Sequence, residues 1–468
     1  MRYVSTRGQA PVLPFEETML SGLARDGGLY VPDAVPVMSP DEIAALAGLS
    51  YEDAAFRVMR PFVGDCFTNG EFRAIIGRAY AGFGHAARCP LVQIGPNDWL
   101  LELHHGPTLA FKDVAMQLIG QMFEAVLKRR GERVTIVGAT SGDTGSAAIE
   151  AFRGLDTADV FILYPQGRVS EVQRRQMTTP SESNVHAIAV EGDFDDCQAL
   201  LKAMFNDFSF RDEVGLAAVN SINWARVLAQ VVYYFTAAVA LGAPGRAVSF
   251  AVPTGNFGDI FAGHIARRMG LPVDRLIIAT NENDILHRTL ETGVYATQGV
   301  THTIAPSMDI QVSSNFERLL FELYDSDGGA VAQSMAELGE SGRFALAQGA
   351  VERLREGFCS VRSDQAATAA MIARVAREGG PVLDPHTAIG VVAARACRGD
   401  PSVPMITLGT AHAAKFPDAV GDACGVRPAL PARLADIYER EERVTVVPND
   451  LASVEALVRQ NRTVERQA

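Results

Sequence analysis

Short apolar runs recur along the middle of this chain, each followed by a glycine-rich or polar turn and then a helical pattern. No other feature restricts the fold as much. The runs are Trp99–Leu103, Arg133–Gly138, Ala158–Pro165, Val185–Val190, Val248–Pro253, Leu276–Thr280, Pro381–Pro385 and Met405–Gly409. Uniformly apolar strands separated by helices predict a parallel sheet covered on both faces, hence an α/β fold. Residues 1–90 differ in character. There Asp26-Gly27-Gly28 turns into a strand ending at Pro32. Ser39-Pro40-Asp41-Glu42 opens a helix through Ile43, Leu46 and Leu49, and Tyr51–Val63 reads as another helix. This part suits a docking or lid domain. Residues 91–425 make the α/β region, and residues 426–468 a charged tail of helical pattern whose end is expected to fray.

Two of the turns are built for anions. Gly138-Ala139-Thr140-Ser141-Gly142-Asp143-Thr144-Gly145 follows one strand and opens a helix through Ile149 and Phe152. Pro253-Thr254-Gly255-Asn256-Phe257-Gly258-Asp259 follows another and opens the helix from Ile260 to Met269. Such turns aim backbone N–H groups and hydroxyls at a phosphate or carboxylate. Neither contains GxxxxGK[ST] or GxGxxG, so neither a Walker loop nor a dinucleotide fingerprint is supported. A third strand leads to Thr410, His412 and Lys415, the last two equally suited to a helix surface. Asp384-Pro385-His386-Thr387 ends the expected strand at 381–385, and Ser221, Asn223 and Arg226 could converge on an anion before an apolar helix.

One lysine is placed for chemistry. In His104-His105-Gly106-Pro107-Thr108-Leu109-Ala110-Phe111-Lys112-Asp113, Pro107 and Thr108 read as a helix entrance, with Thr108 as the cap. Lys112 then lies near a positive helix end among apolar neighbours, and both influences disfavour its ammonium form. A neutral amine is what attacks an aldehyde carbon. His104 and His105 read as hydrogen-bonded structure.

Composition removes several function classes. A formal net charge of −13 argues against a nucleic-acid surface. The most membrane-like stretch, Val227–Ala243, carries Gln230 and paired tyrosines and reads as a buried helix, and the N-terminus has no apolar core of a signal peptide. Six scattered cysteines without a CxxC pair suit a reducing, cytoplasmic compartment. The nine histidines form no HxxxH or Cys/His pattern, so no metal is expected.

Six blocks in order resemble the threonine synthase family of fold-type II (tryptophan synthase β-like) pyridoxal-phosphate enzymes. They are Tyr3–Gly8, His105–Asp113, Ser141–Gly145, Asn220–Arg226, Gly255–Asp259 and Thr410–His412. Chain length and Asn256-Phe257 are similar to the longer microbial and fungal branch, which is not expected to need S-adenosylmethionine. The resemblance implies two α/β subdomains with the site between them and a small N-terminal domain. It implies that Lys112 holds pyridoxal 5'-phosphate covalently and acts as the base. Gly255, Asn256, Phe257, Gly258 and Asp259 would bind the cofactor phosphate, and Thr410 would face the pyridine nitrogen. Thr140, Ser141 and Thr144 would hold the substrate carboxylate. Asp143 is grouped with them, where many relatives of other activity carry Asn near the cofactor 3′-oxygen. Ser221, Asn223 and Arg226 would take the substrate phosphate. The implied reaction turns O-phospho-L-homoserine and water into L-threonine and phosphate, in a monomer or dimer. A phospholyase making 2-oxobutyrate and a non-catalytic anion-binding protein are the competing readings.

Overall fold

A computed structural model describes residues 1–217 and 219–463. Among these, two parallel sheets carry the α/β region. The larger has the spatial order Phe358–Arg362, Val273–Thr280, Val248–Pro253, Met405–Gly409, Asp98–Glu102, Leu91–Gly95. Only its last pair is antiparallel. The smaller runs Thr445–Pro448, Val185–Glu191, Ala158–Pro165, Val134–Ala139, Leu216–Ala217, parallel throughout. Its central strand Ala158–Pro165 is buried along its whole length, as its unbroken apolar run requires.

One expected strand does not form. Residues 381–384 are open chain. Asp384 instead caps the helix Pro385–Ala396, accepting from the backbone N–H groups of His386 and Thr387 at 2.9 and 3.3 Å. The prolines at either end of the run lack the N–H a ladder needs. The tail, read as helical, also contributes the edge strand Thr445–Pro448 before its helix Leu451–Asn461.

The N-terminal segment has a small antiparallel sheet, with Arg2–Ser5 between Leu13–Pro14 and Tyr30–Pro32. Ser39 and Glu42 form the anticipated capping box, but that helix stops at Ala44. The helix Tyr51–Val63 spans its expected residues. The opening motif is an anchor. Tyr3 is fully buried, donates its hydroxyl to the Phe62 carbonyl at 2.8 Å, and lies 5.9 Å from the Trp224 ring. Thr6 and Arg7 donate to the Glu317 carboxylate at 2.6 and 2.9 Å. Next to it, buried Arg318 donates to the carbonyls of Tyr30 (3.1 Å) and Ile222 (2.5 Å). These bonds tie residues 1–32 to the α/β region.

The helix Trp224–Ala240 is buried on nearly every side, against Lys112–Arg130 and Gly258–Arg268. Being apolar all round is what a core helix needs. Among the described residues no helix is long and apolar enough to cross a membrane. Lys112–Arg130 also packs closely on Asp143–Phe152: a methyl built on Gly120 would meet the Ala151 carbonyl oxygen at 2.2 Å. Backbone cannot yield as a flexible side chain can. Gly120→Ala is therefore expected to destabilise the protein by about 3 kcal/mol or more, read as a lowered midpoint in urea. An unchanged midpoint would show the two helices free to separate.

Candidate functional site

Residues at the carboxyl ends of four strands meet around one amine. The loop Leu103–Phe111 leaves the strand Asp98–Glu102 and folds on itself before Lys112. Asp113 is its fastener. Thr108 donates both its N–H (2.9 Å) and its hydroxyl (2.6 Å) to the buried Asp113 carboxylate. A methyl on Gly106 would lie 2.3 Å from Asp113 Cβ, so only glycine fits there. Leu109 takes a left-handed φ of 63°, rare for a leucine. The loop is also stitched to the neighbouring strand: Phe111 N–H donates to the Thr410 carbonyl and His412 N–H to the Leu109 carbonyl. The helix consequently starts at Lys112 itself, with Phe111 in the cap position. Thr108 does not cap it, because its hydroxyl is engaged by Asp113.

Lys112 is 8% exposed. Its Nζ lies 3.5 Å from both Asp143 Oδ2 and Ser307 Oγ, and 5.0 Å from the centre of the Phe111 ring. Burial lowers its pKa, Asp143 opposes this, and the positive charges of Lys415 and Arg226 add to the lowering. Asp143 sits on the first turn of the helix Asp143–Phe152, fully enclosed. Lys415 Nζ donates to its Oδ1 at 2.7 Å and Gln173 Nε2 to the same oxygen at 2.9 Å. Burial alone would raise the Asp143 pKa. The ammonium groups of Lys415 and Lys112 outweigh that and hold it far below the usual carboxylate range. Lys415, as easily read from sequence as a surface residue, is fully buried and also donates to the Thr108 carbonyl at 2.8 Å.

The glycine turn after Val248–Pro253 adjoins this group through Ser307. A methyl on Gly255 would be 3.0 Å from the Ser307 carbonyl oxygen, while Ser307 Oγ touches Lys112 Nζ. Phe257 takes a left-handed φ of 64° and turns the chain into the helix Gly258–Arg268, its ring packed on Phe316 and Phe358. Ser313 Oγ donates to the Gly255 carbonyl at 2.6 Å, and Asn315 to the Asn256 carbonyl at 2.9 Å. The side chain of Asp259 faces away from the turn, accepting from both Tyr233 and Tyr234 hydroxyls. Only its backbone is available to a phosphate. Burial raises its pKa to about 6.

Asp384-Pro385-His386-Thr387 is the brace behind the site. Asp384 Oδ1 accepts from His386 Nδ1 at 2.9 Å, which leaves Nε2 to accept from Ser307 N–H at 3.2 Å. Thr387 Oγ1 donates to Asp384 and accepts from Thr410 N–H. Thr410 Oγ1 is buried without a hydrogen-bond partner among the described residues. A buried hydroxyl left unsatisfied is uncommon and marks a place for an absent acceptor or donor.

The remaining expected residues divide. Thr140 Oγ1 accepts from Gly142 and Gly145 N–H at 2.9 Å each and so shapes its own loop, while Ser141 and Thr144 stay half-buried. Ser221 reaches the glycine turn through Ser314, which donates to Asn256 Oδ1 at 3.2 Å. Arg226 is buried with its Nε unpaired among the described residues, and burial lowers its pKa to about 10, partly opposed by Tyr233. Asn223 is not brought to the site: its amide donates to the Met19 carbonyl at 2.8 Å and its oxygen caps Trp224–Ala240.

Residues 2–80 match the family described as threonine synthase N terminus, 88–341 that of pyridoxal-phosphate dependent enzymes, and 387–458 the threonine synthase C-terminal family. The chain is 57% identical over 462 residues to the threonine synthase of Pseudomonas aeruginosa, covering 98% of each. The chain belongs to the threonine synthase family. Two solved threonine synthases superpose on it. The pyridoxal-phosphate-bound enzyme of Brucella melitensis does so with a TM-score of 0.97 at 57% identity, over 99% of this chain and 100% of that one. The yeast enzyme gives 0.93 at 39% identity over 98% of each. The α/β architecture is accordingly that of fold-type II pyridoxal-phosphate enzymes. The site fits this family's cofactor on its own chemistry. A buried amine of lowered pKa, a helix-opening glycine turn beside it and an unsatisfied hydroxyl at Thr410 match an aldehyde, a phosphate and a ring nitrogen. Ser307, Gln173 and the buried state of Lys415 escaped the sequence reading, since no local pattern distinguishes them.

Proposed function

We propose that the protein converts O-phospho-L-homoserine and water into L-threonine and phosphate. The observation that carries this is Lys112, a buried amine of lowered pKa between Asp143 and Ser307, next to the Gly255 turn. Pyridoxal phosphate held there would supply the electron sink for charge developing on substrate carbon. The protein's own residues do the rest. Lys112 Nζ takes the Cα proton and later returns it, a task favoured by the burial that lowers its pKa. The backbone N–H groups of Gly255 to Asp259 would hold the cofactor phosphate at a helix N-terminus. Thr410 would present a hydroxyl, not a carboxylate, to the ring nitrogen, a partner that does not favour its protonation. Ser141 and Thr144 bind the substrate carboxylate on a loop that Thr140 shapes. Arg226 and Ser221 receive the substrate phosphate, Arg226 being a buried cation without a carboxylate partner among the described residues. We divide the chain into an N-terminal unit of residues 1–90, a catalytic region 91–425 and a tail 426–468. It acts in the cytoplasm as a monomer or dimer.

Incubation with O-phosphohomoserine tests this directly. Threonine and phosphate are expected in equal amounts. 2-Oxobutyrate in place of threonine would assign a phospholyase, and no turnover a binding protein. In the same assay Arg226→Gln is expected to raise KM by roughly thirtyfold or more, since losing one side of a buried charge pair removes about 2 kcal/mol or more. An unchanged KM would move the phosphate elsewhere.

A further inference from the structure

The loop that delivers Lys112 carries a second constellation at its start. Glu102, His104 and His105 bring one ligand atom each within 4.8 Å of the others. His105 Nε2 is 2.7 Å from Glu102 Oε2. The His104 ring lies nearly parallel to His105, 5.1 Å between centres, and His412 stands edge-on to His104 at 5.4 Å. The spacing of histidines along the chain does not reveal the whole set, because the third ring, His412, follows a different strand.

Two further observations point to a ligand. His104 Nδ1 is closed off from solvent and has no hydrogen-bond partner among the described residues. A cavity of about 260 Å³ opens between Glu102, His104, His412 and Asp384. Glu102, His104 and His412 line it, and a neutral imidazole offers a lone pair. Asp384 has both oxygens engaged by His386 and Thr387 and stands outside the set. His412 Nδ1 accepts from Ala414 N–H at 3.1 Å, which leaves its Nε2 as a possible fourth ligand. Burial also lowers the pKa values of His104 and His412 and so favours their metal-binding form.

We propose that Glu102, His104 and His105, with His412 in reach, bind a divalent first-row transition cation of the zinc type. Two or three imidazoles with one carboxylate suit zinc, cobalt or nickel better than calcium or magnesium. A cation there would cross-link the end of the strand Asp98–Glu102 to the loop holding Lys112, and through His412 to the strand Met405–Gly409. The inference stands on these side chains and is independent of the reaction proposed above.

Titrating the holoenzyme at neutral pH with cobalt(II), and then displacing it with zinc(II), tests this. One equivalent is expected to give the visible d–d bands of a four- or five-coordinate nitrogen–oxygen site, and zinc to bleach them. His104→Phe and Glu102→Gln should each weaken binding at least about tenfold. Thermal melts without metal establish that each variant is folded. Zinc should raise the midpoint of the parent and not of His104→Phe. No stoichiometric binding by the parent, octahedral bands alone, or a folded variant with the parent's affinity would overturn the proposal.

Discussion

Replacing Lys112 by alanine is expected to lower turnover by about 10⁴-fold or more, because covalent anchoring and proton transfer leave together. The visible absorption of lysine-bound cofactor should vanish with it. Lys112→Arg should rescue neither property. A guanidinium keeps its proton at any working pH and cannot attack a carbonyl carbon. Folding should survive, because Asp143 retains Lys415 and Gln173 as partners. Phosphate release and an absorbance spectrum on the purified variant decide the matter. More than a hundredth of the parent's rate, or borohydride trapping of the cofactor at another lysine, would remove Lys112 from its assigned role.

The second large effect concerns Lys415, which touches Asp143 and not the reacting atoms. Its positive charge lowers the Lys112 pKa and shares the Asp143 carboxylate. In Lys415→Met that carboxylate no longer divides its charge between two lysines. The Lys112 pKa should rise, so that at a given pH less of the amine is neutral. The acid limb of the turnover profile should then move to higher pH, and kcat/KM at neutrality should fall by about 10²-fold. Asp143→Asn should do the opposite to the limb. Without the anion, Lys112 and Lys415 repel each other, and Lys112 loses its proton at lower pH. Stability should fall in both, since removing one member of a buried pair costs about 3–5 kcal/mol. The sign with acid is also fixed: the Asp143 pKa is lowered by folding, so its contribution is present at neutral pH and is lost as pH falls towards the folded value. A purely structural Lys415 would lower the melting temperature and leave both limbs where they were.

What could be read from the chain alone was whatever is local. The strands, the two glycine turns and the lysine loop each lie within a dozen or so neighbouring residues, where periodicity and turn chemistry act. The Lys112 loop was legible because Gly106, Thr108 and Asp113 fold on one another. What failed depends on distant partners. Pro381–Pro385 has a strand's apolar content, yet Asp384 draws it into a helix cap. Asn223 lies in the right loop but turns to Met19, and the Asp259 side chain, though not its backbone, turns to Tyr233 and Tyr234, residues no window around them contains. Lys415 follows a strand as surface lysines do, and only the fold encloses it against Asp143. Ser307 reaches the amine from a stretch without regular pattern, positioned by His386.

The pairing of Thr445–Pro448 with Val185–Glu191 has a consequence for biosynthesis. A ribosome delivers the inner strand long before its outer neighbour, so the nascent smaller sheet waits with one flank of N–H and C=O groups bare while all the intervening polypeptide is made. Such flanks recruit foreign strands. Chains interrupted before residue 445 would therefore carry every group of the Lys112 site and still present an adhesive border, a substrate for chaperones and proteases.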